Sequence, residues 1–147
     1  MIPHVSLMAT SPNIAARLRN GGLRPTRQRV ALAGIMFGDG LDRHLTAEQL
    51  HAEARQAGVP VSLATVYNTL NQFTRAGLLR EVVVEPGRCY FDTNVSDHHH
   101  FFVDGGGLTD IAGDQVALSA MPAAPAGTVI ERIDVVIRLR PSVATRE

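Results

Sequence analysis

The stretch that decides the fold is Val61-Ser62-Leu63-Ala64-Thr65-Val66-Tyr67-Asn68-Thr69-Leu70-Asn71-Gln72-Phe73, closed by Thr74-Arg75-Ala76-Gly77. Ser62 is an N-cap residue, Val61 and Val66 form a hydrophobic staple around it, and Gly77 stops the helix. At 100° per residue Leu63, Val66, Leu70 and Phe73 share one face. The opposite face carries Ala64, Asn68, Asn71 and Arg75, with Tyr67 on its flank. It is polar and compact, a surface able to read base edges or phosphates.

Working outward, a hairpin follows at once. Glu81-Val82-Val83-Val84 and Arg88-Cys89-Tyr90-Phe91 are strand-like, and Glu85-Pro86-Gly87-Arg88 suits a type II turn. Three helices precede. Ser11-Pro12 opens the first and Gly21-Gly22 closes it. Thr26 caps the second, with Val30, Ile35 and Phe37 as core candidates and Gly38 at its end. Thr46-Ala47-Glu48-Gln49 fits a capping box for the third, with Leu45 and Leu50 as its staple, and it stops at Gly58. Short helices followed by a two-stranded wing make a winged helix, a variant of helix-turn-helix. The same elements also occur in domains that bind only protein.

Beyond the wing the pattern changes. Thr93 to Asp97 is a polar linker into His98-His99-His100. Phe101-Phe102-Val103 and Leu108-Thr109-Asp110-Ile111 read as strands around Asp104-Gly105-Gly106-Gly107. Residues 112–121 suit a short helix, and Val129 to Leu139 alternates as a final strand. The expected boundary puts a winged-helix DNA-binding domain at 1–92 and a dimerisation and ligand-sensing domain at 93–147, an α+β architecture. The second part is too small to bury a core comfortably alone, and pairing two copies would remedy that.

Charge is divided in the same place. The chain of 147 residues has 14 basic and 14 acidic side chains. Residues 1–80 hold nine Arg against Asp39, Asp42, Glu48 and Glu53, and residues 81–147 hold five Arg against ten acids. A basic module that could meet DNA is joined to an acidic one. Every basic residue is Arg, suited to bidentate contacts with phosphate or guanine. No apolar run approaches the ~20 residues that cross a bilayer, and Met1 to Thr10 lacks the pattern of a secretory signal, so a cytoplasmic location and no membrane partner are expected. A single cysteine, Cys89, excludes an internal disulfide framework and a four-cysteine zinc site within one chain.

These residues resemble the ferric uptake regulator family from about Leu23 to Leu139. The Ala64-Thr65-Val66-Tyr67 core and the following Ala76-Gly77-Leu78 match its recognition helix. Arg24-Pro25-Thr26-Arg27-Gln28-Arg29 and His44-Leu45-Thr46-Ala47-Glu48 match its second and third helix starts. The resemblance implies a winged-helix domain followed by a small α/β dimerisation domain, a homodimer on promoter DNA, and a regulatory metal. Carried over, the metal ligands are His44, Asp92, His98 and His100, with Asp110 as a fifth, holding divalent iron, manganese or zinc. DNA contact falls to Arg24, Arg27, Arg29, Ser62, Ala64, Thr65, Tyr67, Asn68, Asn71 and Arg75. Imidazole and carboxylate suit such metals on chemical grounds alone, and the i, i+2 spacing puts His98 and His100 on one face of an extended segment.

Two departures stand out. Many members carry a structural zinc on paired Cys-x-x-Cys motifs, and here Asp104-Gly105-Gly106-Gly107 stands in the first motif's place. Three histidines followed by Phe-Phe resemble the iron response regulator branch, whose histidine cluster is implicated in haem binding. That makes His98, His99 and His100 haem candidates as well. In that branch DNA is bound when iron is scarce, and haem ends the binding. Its Cys-Pro haem motif is absent, because Cys89 lies between Arg88 and Tyr90. The alternatives are a repressor activated by Fe(II) or Mn(II), including a peroxide-sensing one, and, more remotely, a metal-dependent hydrolase. Against the hydrolase, the sequence has no His-Glu-x-x-His pair.

The bland readings are specific too. His44 would ordinarily be a surface or capping histidine, Asp92 and Asp110 strand-end carboxylates, and Cys89 a small buried strand residue. His4 and His51 read as structural or unordered.

Without a Cys-x-x-Cys site, dimerisation should rest on strand pairing and apolar contact. Light scattering of chelator-treated protein should still report a dimer. Dissociation to monomers would contradict the reading of the Asp104 to Gly107 stretch.

Overall fold

The computed structural model of the chain describes residues 13–142. The chain divides into two compact units, with the division between Val95 and Ser96. The expected helix start at Ser11-Pro12 lies outside the described residues.

In the first unit, helix α1 (13–20) is followed by α2 (Arg27–Phe37), strand β1 (His44–Leu45), α3 (Ala47–Gln56), α4 (Leu63–Arg75), β2 (Arg80–Glu85) and β3 (Arg88–Asp92). Each of the last three helices starts where a side-chain oxygen meets an orphan N–H. Thr26 accepts from the Arg29 amide at 3.3 Å, Thr46 from Gln49 at 3.1 Å and Ser62 from Thr65 at 3.1 Å. The Gln49 side chain reciprocates to the Thr46 amide at 2.9 Å, so the expected capping box is complete.

The core is formed by these helices packed on the sheet. Val66, Leu70 and Phe73 of α4 are fully buried, and Thr69 joins them, while Leu63 is half-buried. Of the three core candidates in helix α2, Phe37 is buried as expected and the other two are not. The helix's buried residues are Leu32, Ala33, Met36 and Phe37, and Val30 and Ile35 only flank the core. That helix is apolar nearly all round, so periodicity alone could not fix its face.

The wing is longer than expected by a residue or two at each strand, and its turn holds Gly87 at φ +76°, as a type II turn requires of its third residue. Strand β1 was not foreseen. It pairs antiparallel with β3, which makes β3 the middle of a three-stranded sheet in the order β1-β3-β2. Two residues are too few for any alternation to show.

The second unit is a sheet in the order β5-β4-β6, built from β4 (His98–Val103), β5 (Gly107–Ala112) and β6 (Val136–Leu139). β4 pairs antiparallel with β5 through a tight turn and parallel with β6. The histidine run belongs to the strand rather than to the linker before it. Residues 112–121 hold one 3-10 turn, Gly113–Gln115, in place of the expected helix. Gly113 and Asp114 near its start and the Pro122 stretch after it leave too few residues to repay helix nucleation. The final strand is four residues, not eleven, because β4 offers pairing only from His100 to Val103. The rest of that apolar segment is left open, with Val129 88% and Ile130 49% exposed.

Thr46 both caps α3 and follows the strand that carries His44. Thr46→Ala should lower stability by about 1 kcal/mol, read from the midpoint of urea unfolding. An unchanged midpoint would contradict a stabilising role for the box.

Candidate functional site

The first unit presents the polar face of α4. Ser62, Ala64, Tyr67, Asn68, Asn71 and Arg75 are exposed, and Thr65 is half-buried. The Ser62 hydroxyl accepts from the Thr65 amide and donates to Thr65 Oγ1 at 3.0 Å, which commits the Ser62 proton and leaves the Thr65 hydroxyl its own donor. Beside this face, Arg24, Arg29, Thr65, Asn68 and Gln72 help line an open cleft of about 570 Å³. Arg24 and Arg27 are exposed at the start of α2.

Arg29 differs from its two neighbours. Its Nε and Nη2 donate to the Gln72 side-chain Oε1 at 3.3 and 3.1 Å, and Nη1 donates to the Arg24 backbone carbonyl at 3.0 Å. Three of its five N–H donors are committed within the chain. Arg29 braces α4 against the start of α2, and two donors remain for a phosphate.

Tyr67 is 38% exposed, and its hydroxyl donates to Glu48 of α3 at 2.9 Å. That hydrogen bond holds the phenol proton and raises its pKa above the usual value. The sequence assigns Glu48 no role of its own, and nothing in the pattern of α3 signals a partner nineteen residues away.

At the other end of β3 lies the first candidate ligand set. β1 sets His44 opposite Asp92, and Arg80 of β2 is Asp92's partner on the other side. Asp92 is fully buried, its Oδ1 accepts from the Asn94 amide at 2.9 Å, and its Oδ2 is 3.4 Å from His44 Nε2. Arg43 and Thr93 fix the same place, with the Arg43 amide donating to Thr93 Oγ1 at 2.9 Å. The Arg43 guanidinium in turn makes a fork with Glu53 at 3.0 and 2.6 Å, and that hydrogen bonding raises its pKa further.

The second unit holds the other set. β4 alternates, so His98, His100 and Phe102 are buried on one face while His99 turns to the other. The β4–β5 register places Asp110 opposite His100. Asp110 Oδ1 is 3.5 Å from Nε2 of both His98 and His100, and the two rings meet edge to face at 4.6 Å. His98 Nδ1 sits 2.7 Å from the Ser96 carbonyl. A carbonyl only accepts, so Nδ1 carries a proton, and it is Nε2 that faces Asp110. Two ligands about 2.1 Å from one ion stand about 3.0–3.4 Å apart in octahedral or tetrahedral arrangements, close to the spacing seen within each set. The donor chemistry fits a divalent first-row metal.

His99 is placed differently. It faces a groove of about 460 Å³ within the second unit, lined also by Leu118, Met121, Ile130 and Ile133. The Val135 amide donates to its Nδ1 at 3.2 Å. A neutral imidazole has one nitrogen lone pair, and here it is occupied. The three histidines therefore do not form one ligand cluster.

A helical unit ending in a wing, with an exposed polar face on its last helix, followed by a β unit carrying buried histidines beside a carboxylate, defines a winged-helix protein with a second, β-rich unit. Residues 20–129 match the model of the ferric uptake regulator family, and the chain belongs to that family. It is 32% identical over 91 residues to the ferric uptake regulation protein of Neisseria meningitidis, covering 62% of each chain. To that of Cupriavidus metallidurans it is 38% identical over 88 residues, covering 60% of this chain and 61% of the relative. These matches span about three fifths of the relatives' length. Among solved structures, the ferric uptake regulator of Pseudomonas aeruginosa with manganese superposes with a TM-score of 0.63 at 25% identity, covering 87% of this chain and 97% of that one.

Cys89, in the wing, is half-buried, and burial with a hydrogen bond to Glu81 pushes its thiol up to about 12. Only the thiolate attacks or ligates readily. At pH 8 a thiol reagent should therefore modify Cys89 on the order of 10³-fold more slowly than free cysteine. Reaction at the free-cysteine rate would contradict this protection of the thiol.

Proposed function

We propose that the chain is a homodimeric, metal-responsive DNA-binding regulator of iron homeostasis genes, acting mainly as a repressor. The observation that carries the reading is the exposed polar face of α4 with Tyr67, Asn68, Asn71 and Arg75, in a chain that also buries Asp92, His98 and His100. The family is one of transcription regulators rather than enzymes, and that supports a binding role for the histidines.

In this reading His44 and Asp92 of one unit and His98, His100 and Asp110 of the other close on a single divalent ion. Their chemistry admits Fe(II), Mn(II) or Zn(II). Manganese accompanies the Pseudomonas aeruginosa regulator, which supports metal here. A bound ion would tie the two units together and favour one arrangement of paired recognition helices. Two half-sites about one helical turn apart demand such an arrangement. Dimerisation is supported by the apolar side chains that a single copy leaves open, among them Leu118, Val129, Ile130 and Leu139.

Haem in place of the ion is the second reading, and the apolar groove at His99 favours it. In that case DNA is bound when iron is scarce, as in the iron response regulator branch. The Val135 hydrogen bond counts against it, because iron would have to displace that donor.

Fluorescence anisotropy with an AT-rich palindromic duplex separates these readings. Mn(II) should tighten binding by about 5–150-fold, the range of ordinary coupled sites. Tyr67→Ala should weaken binding, and Arg27→Ala should lower the salt slope by about 1. Release of DNA by haem, with no response to Mn(II), would select the second reading. Unchanged binding by both variants would contradict the placement of the recognition surface.

A further inference from the structure

We propose that Glu48 is a specificity-determining residue. By accepting the hydrogen bond that the Tyr67 hydroxyl donates, it leaves Tyr67 with only lone pairs toward DNA, so that Tyr67 selects a base offering a donor in the major groove. The inference rests on the reading of α4 as the recognition helix.

A phenol has one O–H and can donate or accept, so by itself it discriminates poorly among base edges. In the major groove adenine N6 and cytosine N4 donate, whereas thymine O4 and guanine O6 and N7 accept. An ionised carboxylate only accepts. With Glu48 2.9 Å from the hydroxyl, the proton is committed away from any base. The raised Tyr67 pKa, caused first by this hydrogen bond, keeps the phenol protonated at neutral pH, so the bond persists. The hydroxyl then reads as an acceptor, and the bases that fit it are adenine and cytosine.

Glu48 is not needed for the capping box, which Thr46 and Gln49 complete by themselves. It is exposed, and it carries a negative charge onto a surface that would meet a polyanion. A charge in the first turn of α3 complements the helix dipole, a role that any acid there would fill. That role does not require the contact with Tyr67, and the experiment separates the two.

The test is selection from a pool of random duplexes by the full chain with Mn(II), followed by anisotropy with single-base variants of the selected site. For the parent, one position in each half-site should prefer adenine or cytosine by about 3–10-fold, the effect of one hydrogen bond. Tyr67→Phe should erase that preference and leave the other positions unchanged. Glu48→Ala should also erase it, because the freed hydroxyl can donate to guanine or thymine. Glu48→Gln keeps an acceptor without the charge and should retain the preference, although both Glu48 variants should bind all duplexes somewhat more tightly. Loss of the preference in Glu48→Gln as well as in Glu48→Ala would assign the effect to charge and overturn the proposal. If Tyr67→Ala weakens binding but Tyr67→Phe selects the same sequence as the parent, hydroxyl readout is wrong while the recognition helix stands. If Tyr67→Ala binds like the parent, the recognition reading fails and the proposal with it.

Discussion

A carboxylate with no exposed surface sits at the end of the middle strand of the first sheet, and much of the site follows from how it is met. Asp92 ends β3 with His44 in register on one side and Arg80 on the other. An ionised carboxylate buried without partners would cost several kcal/mol, so the neighbouring strands must bring donors or positive charge. β1 does this with two residues, and the Arg43–Thr93 bond and the Arg43–Glu53 fork hold it there. The Asp92 side chain is thereby aimed before any ligand arrives. His44 Nε2 stands 3.4 Å from Asp92 Oδ2, so the pair is held side by side at the strand end.

The recognition face depends on a different kind of order. Its helix is placed by packing of Val66, Leu70 and Phe73 beneath it, which lie in the core. Its exposed chemistry is then set by neighbours that do not themselves belong to α4. Arg29 fixes Gln72 from the start of α2, and Glu48 fixes Tyr67 from the start of α3. The helices before α4 thus contribute positioning as well as core. The charged groups Arg29 and Glu48, close to the proposed interface, are partly occupied with the neutral Gln72 and Tyr67, which orients α4 side chains without lengthening the list of DNA contacts.

The sequence was most legible where a local rule had one outcome. Ser62, Thr46 and Thr26 announced their caps, Pro86-Gly87 its turn, and the spacing of His98 and His100 a shared strand face. It was least legible where pairing across the chain decides. Nothing in His44-Leu45 marks a strand, since it exists only because β3 accepts it. The His99 orientation and the Asp110 contact followed from the β4–β5 register, and periodicity does not determine which partner a strand finds. The apolar alternation from Val129 to Leu139 was real, but most of it lacks a strand to pair with in a single copy. The aliphatic face of α2 was ambiguous for the opposite reason, because too many of its residues suit a core.

The central claim is that both ligand sets serve one ion. A Co(II) titration of the full chain, followed by its visible ligand-field absorption, tests this directly, because the bands report coordination number and ligand type at the bound ion. The account predicts one ion per chain, and His44→Ala and His98→Ala should each alter the spectrum of that same ion and weaken its binding. Two ions per chain, each disturbed by only one of the variants, would show that the sets are separate sites and would contradict the claim.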